Sequence, residues 1–96
     1  MFSRNRYATA LVSREVDPIT QFFMWSCIDM MPESQDQDYL QVFNLTATAV
    51  GQKIVHTQEI PPYSREYLIL SRNPITAKIF VIDDIEYATM LFAEEY

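Results

Sequence analysis

Apolar residues fall along this chain in two ways, one dense block near the start and a series of short runs after it. The block lies between Asp17-Pro18 and Pro32, where Ile19, Phe22, Phe23, Met24, Trp25, Cys27, Ile28, Met30 and Met31 are interrupted only by Thr20, Gln21, Ser26 and Asp29. Asp17 offers a capping carboxylate, Pro18 suits the first helical position and Pro32 forbids continuation, so the pattern predicts a helix over 18–31. On a 100° wheel the four polar residues lean to one side. Ile19, Phe23, Met24, Cys27, Met30 and Met31 then form the expected core face, with Phe22 and Trp25 outward beside Asp29. A surface helix ordinarily carries one apolar stripe, so a helix apolar almost all round predicts deep burial or a partner on its far side.

The short runs read as strands. Arg6 to Ser13 alternates Tyr7, Thr9 and Leu11 with Ala8, Ala10 and Val12, which predicts a first strand. Glu33 to Asp38 has no aliphatic residue and predicts a solvated loop. Further strands are expected over Tyr39 to Leu45, Lys53 to Ile60, Glu66 to Leu70, Ala77 to Ile82 and Tyr87 to Ala93. Gly51, Pro61-Pro62, Asn73-Pro74 and Asp83-Asp84 punctuate them. Short links join antiparallel neighbours, because a parallel return needs a long crossover. The expected fold is therefore α+β: one domain over 1–96, an antiparallel meander of five to six strands with one helix packed on a face. Lys78 to Ile82 is continuously apolar after its lysine, as in a strand covered on both sides. One helix covers one face, so loops or a second subunit must cover the other.

Composition narrows the function classes. Thirteen acids against seven Lys and Arg give a net charge of −6, a sign that disfavours attraction to nucleic acid or anionic membrane. Arg4, Arg6 and Arg14 with Phe2 and Tyr7 are the only basic and aromatic grouping near the start, too few to outweigh that sign. The single cysteine, Cys27, excludes an intrachain disulfide and is expected to pack as a small hydrophobe. No apolar run has the length to span a bilayer, and no signal-peptide core follows Arg4 and Arg6, so the cytoplasm is the expected setting.

Several blocks carry a resemblance: Met1-Phe2 with Arg6-Tyr7 and Thr9, then Asp38-Tyr39-Leu40-Gln41-Val42-Phe43, Lys78 to Asp84, and Thr89-Met90-Leu91 with Ala93-Glu94-Glu95-Tyr96. Taken together the chain resembles, essentially end to end, a small family of unknown function from low-GC Gram-positive bacteria and their phages. The resemblance implies a cytoplasmic bacterial or phage setting and no assigned activity, and it brings no catalytic or binding residue with it.

No reaction centre stands out. The only histidine, His56, lies between Val55 and Thr57 in an expected strand, a setting for a hydrogen-bonded sheet residue rather than a general base. There is no nucleophile elbow, metal-binding histidine pair or glycine-rich phosphate loop. Asp83, Asp84 and Glu86, and Glu33, Asp36 and Asp38, are the two acidic groupings to weigh as hard-cation sites, but neither has the glycine and terminal glutamate of a calcium loop. The expected function is a non-enzymatic interaction module or homodimer without a cofactor. Its candidate surface is Phe22, Trp25 and Asp29, and its partner is a protein or a second copy. The alternative is an acidic inhibitor or modulator of a nucleic-acid-binding protein.

Overall fold

The computed structural model describes Met1 to Tyr96. Six strands form one sheet: β1 (Asn5–Ala8), β2 (Leu40–Thr48), β3 (Gly51–Gln58), β4 (Tyr63–Ile69), β5 (Ala77–Asp83) and β6 (Tyr87–Phe92). Their spatial order is β1-β6-β5-β2-β3-β4, with two helices, α1 (Ala10–Glu15) and α2 (Pro18–Asp29), packed on one face. The architecture is a single α+β domain with a mixed, mostly antiparallel sheet and one main helix.

The expected pure antiparallel meander needs two corrections. First, β1 runs parallel to β6, with Asn5 opposite Tyr87 and Ala8 opposite Met90. The long return that a parallel pair requires is supplied by the rest of the chain. Second, only β2-β3-β4 is a meander. β5 pairs with β2, Phe43 facing Ile79, and β4 stands at the opposite edge. The link between Ile69 and Ala77 spans three strand spacings, roughly 14 Å, well within reach of an extended segment of that length. Gln52, buried on β3, fastens this link at mid-span. Its Oε1 accepts from the Ile75 amide at 2.8 Å, and the two N–H groups of its Nε2 are shared among the carbonyls of Ile75, Thr46 and Lys53, which lie at 2.9, 3.0 and 3.1 Å.

The first expected strand is also shorter than the alternation predicts. It stops at Ala8, and Thr9 becomes the cap of α1, its Oγ1 accepting from the Val12 amide at 3.2 Å. Alternation over so few residues does not exclude one helical turn. Here the spacing of Val12 and Val16, both buried, decides for the helix. Asp17 caps α2 through the Ile19 amide at 3.0 Å and Pro18 takes the first helical position, as the sequence predicts. Gln21 then donates to the Val12 and Val16 carbonyls at the end of α1, locking the two helices together.

The core lies between the helices and the inward face of the sheet. It contains Phe2, Val12, Val16, Met24, Cys27 and Ile28 on one side and Phe43, Leu45, Ile54, Ile79, Val81, Ala88, Met90 and Phe92 on the other. α2 reaches both edges of the sheet through its side chains, with Phe23 at mid-helix edge-on against Tyr67 of β4 and Asp29 at its end paired with Arg6 of β1. Gly51 opens β3 where only glycine fits, since a Cβ there would lie 2.3 Å from the Ile69 carbonyl oxygen. No helix is long and apolar enough to cross a membrane.

Candidate functional site

The helix wheel is where sequence and structure differ most. Met24, Cys27 and Met31 are buried as expected, but so are Thr20 and Ile28, while Ile19 and Met30 face solvent. Nearly every position is apolar, so the pattern alone gives the helix little reason to choose a side. In the fold Met24, Cys27 and Ile28 face the core, and the Arg6–Asp29 contact lies at the helix end. Thr20 follows inward at a cost, for its Oγ1 is buried with no partner.

Phe22, Trp25 and Asp29 do not form one exposed cluster. Phe22 is 73% exposed, in a stripe with Ile19, Asp29 and Met30. Trp25 is half-buried and packs against the core, and the Arg6 guanidinium lies 4.9 Å from its ring centroid. The same guanidinium meets Asp29 in a two-pronged pair, Nη2–Oδ1 2.6 Å and Nη1–Oδ2 3.1 Å, while its Nε donates to the Phe2 carbonyl at 2.8 Å. Trp25 and Asp29 are thus joined through Arg6 as a brace between α2 and β1, and Phe22 stands apart. The ion pair is solvent-exposed and contributes at most about 1 kcal/mol.

His56 belongs to a buried polar network rather than a cleft. Its Nε2 lies 2.6 Å from Gln41 Oε1, Gln41 Nε2 donates to Gln58 Oε1 at 2.6 Å, and Gln58 Oε1 also accepts from the Asp38 amide at 2.9 Å. Because Gln41 presents its oxygen, the His56 proton sits on Nε2, which leaves Nδ1 buried and unpaired. Phe43 stacks on the ring at 4.4 Å and Tyr63 meets it edge-on at 5.4 Å. Burial pushes the imidazole pKa down to about 4. What the network does is structural: Gln58 donates to the Asp36 carbonyl and Gln41 to the Asp38 carbonyl, so the polar loop after α2 is pinned onto the sheet. Cys27 is buried too, its thiol pushed up to about 12 by desolvation, which keeps it protonated and unreactive at neutral pH. No three His, Cys, Asp or Glu side chains converge to hold a metal ion. Asp83 accepts instead from the Phe2 amide at 3.2 Å.

The outward face of the sheet carries no covering element. Leu40 and Val42 on β2, Phe80 and Ile82 on β5, and Thr89 and Leu91 on β6 alternate with the buried residues of those strands, and each stays partly exposed. Register sets them side by side: Val42 opposite Phe80, Leu40 opposite Ile82, Leu91 opposite Phe80 and Thr89 opposite Ile82. Tyr7 and Tyr87 extend the patch, 53% and 41% exposed with ring centroids 6.0 Å apart, and Tyr96 leans edge-on against Phe80 at 5.8 Å. This contiguous surface exceeds the helix stripe in aromatic and aliphatic content. The continuously apolar Lys78 to Ile82 run is its signature in the sequence, since both faces of β5 are apolar.

The sequence model of a family described as Staphylococcal protein of unknown function (DUF960) matches residues 5–95. The chain belongs to that family. The resemblance to an uncharacterised family of low-GC Gram-positive bacteria is thereby borne out. A crystal structure described as that of the protein of unknown function from Enterococcus faecalis shares the fold. It superimposes with a TM-score of 0.83 at 22% identity, over 97% of this chain and 91% of that one. At that identity the likeness is one of architecture: the fold is shared while most side chains differ. No curated protein matches the chain.

Proposed function

We propose that this DUF960 chain is a non-enzymatic protein–protein interaction module that acts in the cytoplasm without a cofactor. The observation that carries the reading is the outward sheet face, where Leu40, Val42, Phe80, Ile82, Leu91, Tyr7 and Tyr87 lie in one contiguous surface with no layer above them. Sheets bury one face and wet the other when that other face is polar; a second apolar face is the mark of an interaction site. The helix stripe of Ile19, Phe22 and Met30 is a smaller second contact surface on the opposite side of the molecule, with Phe22 as its aromatic anchor. Trp25 is half-buried, and Asp29, within the stripe, is held by Arg6.

The test is site-specific photocrosslinking in the cells that make the protein. A benzophenone amino acid replaces Leu91, Phe22 or, as a control, the exposed Arg72. Protein adducts at Leu91 or Phe22 above the Arg72 background support the reading; background levels at both positions overturn it.

Charge mimicry, the second reading, draws support from one placement. The Asp83 amide donates to the Tyr39 carbonyl at 2.9 Å, which brings the acidic turn after β5 to the same end of the sheet as the loop holding Glu33, Asp36 and Asp38. An inhibitor of a nucleic-acid-binding protein acting through this end would lose affinity steeply as salt rises, whereas an apolar contact would hold.

A further inference from the structure

The outward row of β5 has a chemical pattern that reads the same from both ends. Lys78, Phe80 and Ile82 point outward opposite the buried Ile79 and Val81, and Asp84 continues the row past the strand end. Asp84 stays on this side of the sheet, beside Tyr87, whose phenol pKa is raised by the neighbouring carboxylate. Cation, aromatic, aliphatic, anion is a self-complementary order. Placed antiparallel on itself, it sets Lys78 against Asp84 at both ends and Phe80 against Ile82 in the middle.

We infer that the outward sheet face is covered by a second copy of this chain, about a two-fold axis lying between the sheets, across the strands and midway between Phe80 and Ile82. This rests on the reading of that face as an interaction surface and names its occupant. Charge selects the axis, because a two-fold along the strands would set Lys78 on Lys78 and Asp84 on Asp84, a juxtaposition that interfaces avoid. Lys53, the other cation on this face, is already paired with Glu66 at 3.7 Å, which leaves Lys78 as the face's free positive charge. Size agrees as well. The two longer molecular extents are 34 and 27 Å, which leaves room on this face for a standard stable interface of about 800 Å² per partner. Two sheets stacked face to face at about 10 Å, strands inclined by about 30°, is the ordinary geometry of a β-sandwich. Here the sandwich is completed between molecules.

The experiment is sedimentation equilibrium on the purified full chain at low ionic strength, with circular dichroism to confirm that each variant is folded. The wild type is expected to be a dimer. Lys78→Glu and Asp84→Lys should each weaken it at least tenfold, and the double reversal should recover it to within about threefold of wild type. Leu91→Glu should weaken it at least a hundredfold, and Phe22→Glu on the helix side should leave it unchanged. A wild type that is monomeric throughout, or a double reversal no tighter than either single change, overturns the inference. If the chain is monomeric while Leu91 still crosslinks to a different protein in cells, only the identity of the occupant is wrong. If neither dimer nor adduct is found, the interaction reading fails with it.

Discussion

Acidification should weaken this fold through one side chain. His56 is buried with its Nε2 proton given to Gln41 and its Nδ1 facing no partner, so a second proton would place an unpaired charge between Phe43 and Tyr63. Its pKa falls from the ordinary 6.5 to about 4. The unfolded chain takes up that proton near pH 6.5 while the folded chain refuses it until about pH 4. Between those values the unfolded state therefore binds more protons, and stability falls as pH falls. The slope is about 1.4 kcal/mol per pH unit, and the loss reaches roughly 3 kcal/mol by pH 4, a large share of the 5–15 kcal/mol typical of a domain. Above pH 6.5 the term vanishes. Urea unfolding at several values between pH 7.5 and 4 measures it, compared with His56→Gln, which keeps a donor amide near Gln41 but cannot titrate. The wild type should lose roughly 3 kcal/mol more than the variant over that range. Because the chain has a single histidine, its imidazole resonance can also be followed by NMR without assignment and should stay unmoved from pH 8 to 5. Equal pH dependence in the two proteins, or an imidazole that titrates near 6.5, would refute the reasoning.

Two further outcomes test other parts of the structure. Gln52→Leu leaves the Ile75 amide and three carbonyls without their side-chain partner, and urea unfolding should show a loss of at least about 2 kcal/mol, against near-neutrality if the link before β5 is held by other means. The Cys27 thiol should react with a disulfide reagent at neutral pH only as fast as the protein opens, so that modest urea accelerates labelling and an immediate reaction with the folded chain would contradict its burial.

The local grammar of this fold is readable in the chain. Asp17-Pro18 and Pro32 bracket α2, and Gly51, Pro61-Pro62, Asn73-Pro74 and Asp83-Asp84 separate strands found close to where they are expected, because these residues act on the backbone next to them. Strand order is a different kind of information. The pairings of β2 with β5 and β1 with β6 join segments far apart in the chain, and no short window of sequence carries that. Thr9 shows the limit of alternation as a signal, its neighbours fitting a strand until its hydroxyl caps a helix. The helix face was obscured for the opposite reason, an excess of apolar candidates. Trp25 in particular found its place through Arg6, a partner 19 positions earlier in the sequence. On the sheet the reverse held: the apolar Lys78 to Ile82 run announced an outward face needing cover, and that face is the candidate surface the structure presents.

The parallel pairing of β1 with β6 has a consequence for the order of assembly. Ala8 meets Met90, and Phe2 reaches Asp83, across almost the whole chain. On a ribosome, β2, β3 and β4 can zip up as successive hairpins as they emerge, but α1 and β1 must wait for β6, which carries Ala88, Met90 and Phe92 of the core. Contacts this distant in sequence close slowly, because loop entropy is lost before they form. Until the last strand arrives, Val12, Met24 and Ile28 have only part of their floor, and the most apolar segment of the protein is the one left longest without shelter.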